Sequence, residues 1–241
     1  MELKVKNSSE SYVINPTKII CLGLNYASHV KEHDIEHATN KYKEPPKKPI
    51  LFLKTPNCLI GPHENIVYPN ILKEIEFPRM DYEGELAVIM KKRAKNVKKE
   101  KAFDYILGYT CFNDVTARDM QRHDISSKKP WFRSKSLDTF GPIGPLIVKT
   151  EDIKDPNNLK IETILNDEVV QSANTKDMVF KVDFLIEYIS NFFTLKPGDI
   201  IVTGTPSGIG PLQPKDKIEV RIERIGTLKN QVIEEIKDSR N

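Results

Sequence analysis

The chain has 241 residues, 39% hydrophobic and 29% charged, with a net charge of +3. That length allows one large domain or two small ones around a sizeable core, and the charge is too small to point to nucleic acid or an acidic membrane. No stretch approaches the roughly 18 apolar residues of a membrane span, and the opening MELKVKNSSE lacks an apolar signal core. A cytoplasmic protein is expected. Cys21, Cys58 and Cys111 are odd in number, far apart and set among apolar neighbours, with no CxxC pair. They read as structural thiols in a reducing compartment, not as disulfides or a zinc cluster.

Taken in chain order, the first informative stretch is GLNYASHVKEHDIEH. His29 and Glu32 stand at i and i+3, close enough for the acid to orient the imidazole as a general base. The same stretch holds HDIEH (33–37), which fits the H-x-x-E-H pattern of inverted zinc proteases. A Pro/Lys connection follows within a few residues and no downstream motif supplies a third ligand, which argues against that rival. The connection, NKYKEPPKKP (40–49), divides a segment 1–48 from the remainder, 49–241. Beyond it PILFLK, ELAVIM, YILGYTCF, GPLIVK, LKIETILN, DIIVTG and KIEVRIE read as strands. TARDMQRHD and MVFKVDFLIEYISNFF (178–193) read as helices, the second with Val179, Val182, Ile186 and Ile189 at helical spacing. The balance predicts an α+β domain dominated by antiparallel strands. The basic run KKRAKNVKKEK (91–101) reads as a solvated loop. GTPSGIG does not match GxGxxG, and no GxxxxGK[ST] is present, so a nucleotide site has little support.

Chemistry concentrates first in DYEGELAVIM (81–90). On a strand Glu83 and Glu85 share a face with Ala87 and Ile89, while Tyr82, Leu86, Val88 and Met90 make the other face apolar. A strand apolar on both sides is usually buried, and two carboxylates about 5 Å apart repel by roughly 3 kcal/mol at an effective dielectric of 20. A divalent cation relieves that repulsion, and oxygen-only ligands suit Mg²⁺, Mn²⁺ or Ca²⁺ better than Zn²⁺. Asp114, after the apolar strand GYTCFN, reads by default as the N-cap of the following helix. It also falls at i, i+4 and i+7 with Arg118 and Gln121, a face offering an acid, a fixed cation and an amide. Lys135 lies among aromatic and apolar residues in PWFRSKSLDTF, where a solvent lysine is the plain alternative. Thr205 lies in the turn TGTPSGIGP, whose N–H groups and hydroxyl suit a carboxylate, although a plain turn is commoner.

Seven blocks in order resemble the fumarylacetoacetate hydrolase family from about residue 17 to 227. They are KIICLGLNYASHVKE, LFLKTPNCLIGP, DYEGELAVIM, GYTCFNDVTARDMQ, RSKSLDTFGPIGP, ILNDEVVQSANTKDM and LKPGDIIVTGTPSGIG. Leu137, where Phe is frequent, is a conservative departure. The short N-terminal part is similar to the small acylpyruvase and hydroxymuconate isomerase-type members. The resemblance implies a mostly antiparallel β-sandwich roll with few helices, commonly a homodimer. It implies Mg²⁺ or Mn²⁺ on Glu83, Glu85 and Asp114, and a catalytic His29–Glu32 dyad on a mobile lid. It further implies a catalytic Lys135, with Arg118, Gln121 and Thr205 contacting substrate. The activity implied is a metal-dependent C–C hydrolase or decarboxylase acting on small 2-oxo acids, acylpyruvates or oxaloacetate, through a pyruvate enolate. The alternatives are an isomerase or tautomerase of 2-hydroxy-dienedioates or oxaloacetate and, remotely, a binding protein without catalysis.

Overall fold

The computed structural model describes residues 1–30 and 44–236. Among these, a seven-stranded sheet runs in the order Ile50–Lys54, Ile19–Gly23, Ile200–Val202, Gly84–Met90, Ile106–Asn113, Gly141–Lys149 and Leu59–Ile60. A five-stranded sheet runs Glu168–Asn174, Lys160–Leu165, Lys217–Ile222, Gly226–Glu234 and Asn65–Tyr68. Most strand pairs are antiparallel, and the pairing of Ile19–Gly23 with Ile200–Val202 is parallel. This is the sheet-rich α+β roll with few helices that the sequence implies.

Gly84–Met90 is the central strand, and every residue in it is buried. Ala87 and Ile89 pack into a core with Phe112, Ile143 and Val202 on one side. Leu86, Val88 and Met90 pack into a second core with Ile161, Val220 and the helix residues Leu185, Ile186 and Ile189 on the other. Two-sided burial explains why the strand reads as a continuous apolar run. Tyr82 departs from the expected alternation and joins Ala87 and Ile89. The reason is a break at Glu83, which separates strand Met80–Tyr82 from Gly84–Met90 and resets the parity of facing.

The long helix is also shorter than its pattern predicts and spans Val182–Phe192. The Asn25 side chain explains the late start: it donates to Phe180 O (3.0 Å) and accepts from Phe180 N (2.8 Å). Val179 N donates to Asn25 O (2.8 Å), which keeps this residue in the approach to the helix. All three cysteines are buried and free, and burial pushes the Cys58 thiol up to about 11 and that of Cys111 to about 12. No helix among the described residues is long and apolar enough to cross a membrane.

Asp199 ties the strands carrying the N-terminal segment to the centre of the sheet. It accepts from Thr17 N (2.9 Å), Thr17 Oγ1 (2.7 Å), Lys196 N (2.8 Å) and the Lys18 ammonium. Burial alone would raise this carboxyl, but the bonds from Lys18, Lys196 and Thr17 outweigh it and hold it below its usual 3.8. Asp199→Ala removes the shared acceptor of these part-buried donors and should cost about 1–2 kcal/mol in denaturant unfolding at neutral pH. The depressed carboxyl contributes stability above its unfolded pKa that is lost as pH falls through its folded value. The deficit of the variant should therefore narrow below about pH 4.

Candidate active site

Register assembles the acidic cluster. Gly84 pairs with Asn113, so the break at Glu83 lies beside the end of strand Ile106–Asn113, and Asp114 N donates to Glu83 O (2.8 Å). Oxygens from Glu83, Glu85 and Asp114 lie within 4.8 Å of one another, and all three residues are buried. Gly84 between the glutamates has no room for a side chain: a Cβ there would sit 2.1 Å from Thr163 Oγ1. Its N–H donates to Gln171 Oε1 (3.0 Å) and its carbonyl accepts from Thr205 Oγ1 (3.0 Å). Gln171 Nε2 donates in turn to Thr205 Oγ1 (2.9 Å). This network braces the strand against the five-stranded sheet and the 203–206 turn.

Cations converge on the cluster from three other elements. Lys135, at the end of helix Phe132–Lys135, is 2% exposed and places Nζ 2.9 Å from Glu83 Oε2 and 2.6 Å from Asp114 Oδ2. Lys54, at the end of its strand, places Nζ 2.6 Å from Asp114 Oδ1. Arg118, the first residue of helix Arg118–Ser126, pairs with Glu83 Oε1 and reaches Asp81 Oδ2 at 2.8 Å. Burial alone would raise the Glu83 carboxyl, but Lys135, Arg118 and His29 more than offset it and hold Glu83 well below the usual range. Glu85 moves the other way. Burial, reinforced by the charges of Asp114 and Glu83, pushes its carboxyl well above 4.5 despite the Gly204 amide bonded to it. Gly204 has φ +94°, and a Cβ there would meet Asn25 Cβ at 2.7 Å, so the turn that presents this amide requires glycine.

Glu83, Glu85, Asp114, Arg118 and Lys135 are thus brought together. His29 is 5% exposed and close enough to Glu83 to favour its ionised form. Gln121 joins through Arg118, accepting from Nη1 at 2.6 Å. Thr205 is held within the Gly84–Gln171 network. Lys135 is no solvent lysine, and Asp114 is no N-cap. Residues Thr116–Ala117 pair as a strand with Met80–Tyr82, so the helix starts at Arg118 with Ala117 at the cap position. Glu32, the HDIEH run and the rest of the expected lid lie outside the described residues. Lys54, Asp81 and Gln171 were not anticipated. A lysine closing the apolar strand ILFLK was the available sign for Lys54; Gln171 offered none.

On this curled mixed sheet, a buried three-carboxylate cluster ringed by cations has the donor set to hold a metal ion. The family model Fumarylacetoacetate (FAA) hydrolase C-terminal matches residues 18–233, and the chain belongs to this family. An uncharacterized protein of Pyrococcus abyssi is 51% identical over 224 residues, 93% of each chain. The oxaloacetate tautomerase Fahd2a, mitochondrial, of Rattus norvegicus is 40% identical over 228 residues, covering 92% of this chain and 68% of the rat protein. Among solved structures, the 5-carboxymethyl-2-hydroxymuconate delta-isomerase from Mycobacterium smegmatis aligns with TM-score 0.78 and 38% identity. That alignment covers 92% of this chain and 78% of the isomerase.

Two like charges within 4.8 Å repel by about 3 kcal/mol at an effective dielectric near 20. Glu85→Gln removes that repulsion and keeps an oxygen for the Gly204 amide. In metal-free buffer at neutral pH the variant should be about 1–3 kcal/mol more stable than wild type. A raised carboxyl contributes stability below its unfolded pKa that is lost as pH rises through the folded one. The advantage should therefore shrink toward pH 4, as thermal unfolding across pH will show.

Proposed function

We propose that the protein acts on small 2-oxo acids through their enol or enolate forms, with Glu83, Glu85 and Asp114 holding a Mg²⁺ or Mn²⁺ ion. The observation that carries this reading is the buried carboxylate cluster with Lys135 on two of its members. The donor set fits such an ion: it is all hard oxygen, and Glu85 stays ionised at low cost only with a further positive charge beside it. When bound, the ion supplies Lewis-acid stabilisation of negative charge on a substrate oxygen.

The chain's own residues supply the rest. Arg118 adds a fixed positive charge for a substrate carboxylate, since its guanidinium stays protonated beside Glu83 and Asp81. Lys135 offers N–H donors to the oxygen on which enolate charge develops. Its ammonium is likewise secure, because Asp114 and Glu83 outweigh the effect of burial. His29 accepts the proton from the carbon next to the keto group, and its return to the oxygen completes a keto–enol exchange. The similarity to proteins named as an oxaloacetate tautomerase and a muconate isomerase supports proton transfer as the first reading. C–C cleavage is the second, favoured by the same imidazole. His29 would take a proton from water as the hydroxide adds to a remote carbonyl, and the C–C bond would break to give a carboxylate and a pyruvate enolate. Loss of CO₂ from oxaloacetate leads to that enolate without water.

The test is a panel of oxaloacetate, acetylpyruvate, fumarylpyruvate and a 2-hydroxy-dienedioate, with a p-nitrophenyl ester as control. An ultraviolet change without pyruvate or CO₂ is expected from tautomerisation, and pyruvate release marks cleavage. EDTA should abolish turnover and Mg²⁺ or Mn²⁺ restore it. Lys135→Ala should lower kcat by about 10²- to 10³-fold. Turnover of the ester alone, or turnover surviving both EDTA and Lys135→Ala, would contradict the enolate reading.

A further inference from the structure

Glu83 and Asp114 are tied to the protein through both carboxylate oxygens, and Glu85 through one. Glu83 commits Oε1 to Arg118 and to Thr116 Oγ1 (3.1 Å), and Glu85 commits Oε2 to the Gly204 amide. Asp114 commits Oδ1 to Lys54, whose Nζ also donates to Val115 O at 3.1 Å. The second oxygens of Glu83 and Asp114 are bridged by Lys135, which donates to them at 2.9 and 2.6 Å. Lys54 has the least ordinary position of these partners. It carries an ammonium on a side chain that is 0% exposed, where an apolar residue of similar volume would pack without the cost of burying a charge.

Building on the metal-site reading above, we propose that Lys54 is a positioning residue that makes Asp114 a one-oxygen ligand and so sets the size of the ion accepted. Three carboxylates limited to one oxygen each supply three ligands, which leaves an octahedral shell three places for substrate and water. Mg²⁺ and Mn²⁺ accept six ligands in that arrangement. Ca²⁺ prefers 6–8 oxygens and commonly takes carboxylates through both. Releasing Asp114 Oδ1 gives the site a fourth protein oxygen and removes a positive charge from beside it. The extra oxygen favours Ca²⁺ more than the smaller ions, whereas the lost positive charge strengthens binding of all three. Lys135 does not serve in this role, since it bridges Glu83 Oε2 and Asp114 Oδ2 and leaves Asp114 Oδ1 to Lys54.

The experiment is calorimetric titration of the full chain with Mn²⁺, Mg²⁺ and Ca²⁺, wild type against Lys54→Met, with thermal unfolding of each protein recorded alongside. Wild type should bind Mn²⁺ and Mg²⁺ in preference to Ca²⁺. In Lys54→Met the preference for Mn²⁺ over Ca²⁺ should fall by about 10- to 100-fold. If the variant does not fold, a crystal structure of the Mn²⁺-loaded wild type decides. Asp114 should keep Oδ1 on Lys54 and offer Oδ2 alone; a two-oxygen Asp114 detached from Lys54 overturns the proposal. An unchanged preference in a folded variant overturns it as well. If wild type binds none of the three ions, the metal site itself fails, a result distinct from either.

Discussion

Three carboxylates cannot be buried within reach of one another unless positive charge is delivered to the same place, and much of this fold is arranged around that constraint. The compensating charges arrive from separate elements: Lys54 from a strand of the seven-stranded sheet, Arg118 from the start of a helix, Lys135 from the end of another. Isolated, each of these buried ions would carry a desolvation penalty of several kcal/mol. Together they form a network in which Glu83 is strongly held as an anion, and Glu85 is the member left short of positive charge. That asymmetry makes the cluster receptive to a further cation.

The protein scaffold around the cluster is correspondingly stiff. The central strand is packed on both faces, and its one glycine is enclosed by Thr163, Gln171 and Thr205, with polar bonds linking both large sheets to the 203–206 turn. A site that must hold ligand oxygens in fixed directions benefits from such packing, because the directions are set by backbone and buried side chains and not by flexible surface groups. The acidic cluster therefore sits among buried, hydrogen-bonded strands, and the parallel strand Ile19–Gly23 leads to His29 in the same neighbourhood.

The sequence revealed the strands that are buried on two sides, since ELAVIM, YILGYTCF and DIIVTG carry apolar residues at both odd and even positions. Paired glutamates within such a run were conspicuous for the same reason. Other features depend on contacts that no local pattern carries. Tyr82 changes face because of a one-residue break, and the long helix begins late because Asn25, more than 150 residues away in the chain, captures Phe180. Lys54 and Gln171 act through partners 60 and 87 residues distant. A lysine at the end of a strand and a glutamine within one look ordinary until their partners are known. Strand Gly226–Glu234 carries a weaker signal because its polar and apolar residues mix, and Asn65–Tyr68 because it is only four residues long.

The account stands or falls on whether this cluster takes up a divalent cation in exchange for a proton. Calorimetric titration of Mn²⁺ into the metal-free protein, in paired buffers of different ionisation enthalpy, measures both quantities at once. The account predicts uptake of one ion per chain with proton release from Glu85, the release diminishing as pH rises, and loss of uptake in Glu83→Gln. Absence of binding at millimolar Mn²⁺, or binding that Glu83→Gln leaves intact, would contradict it.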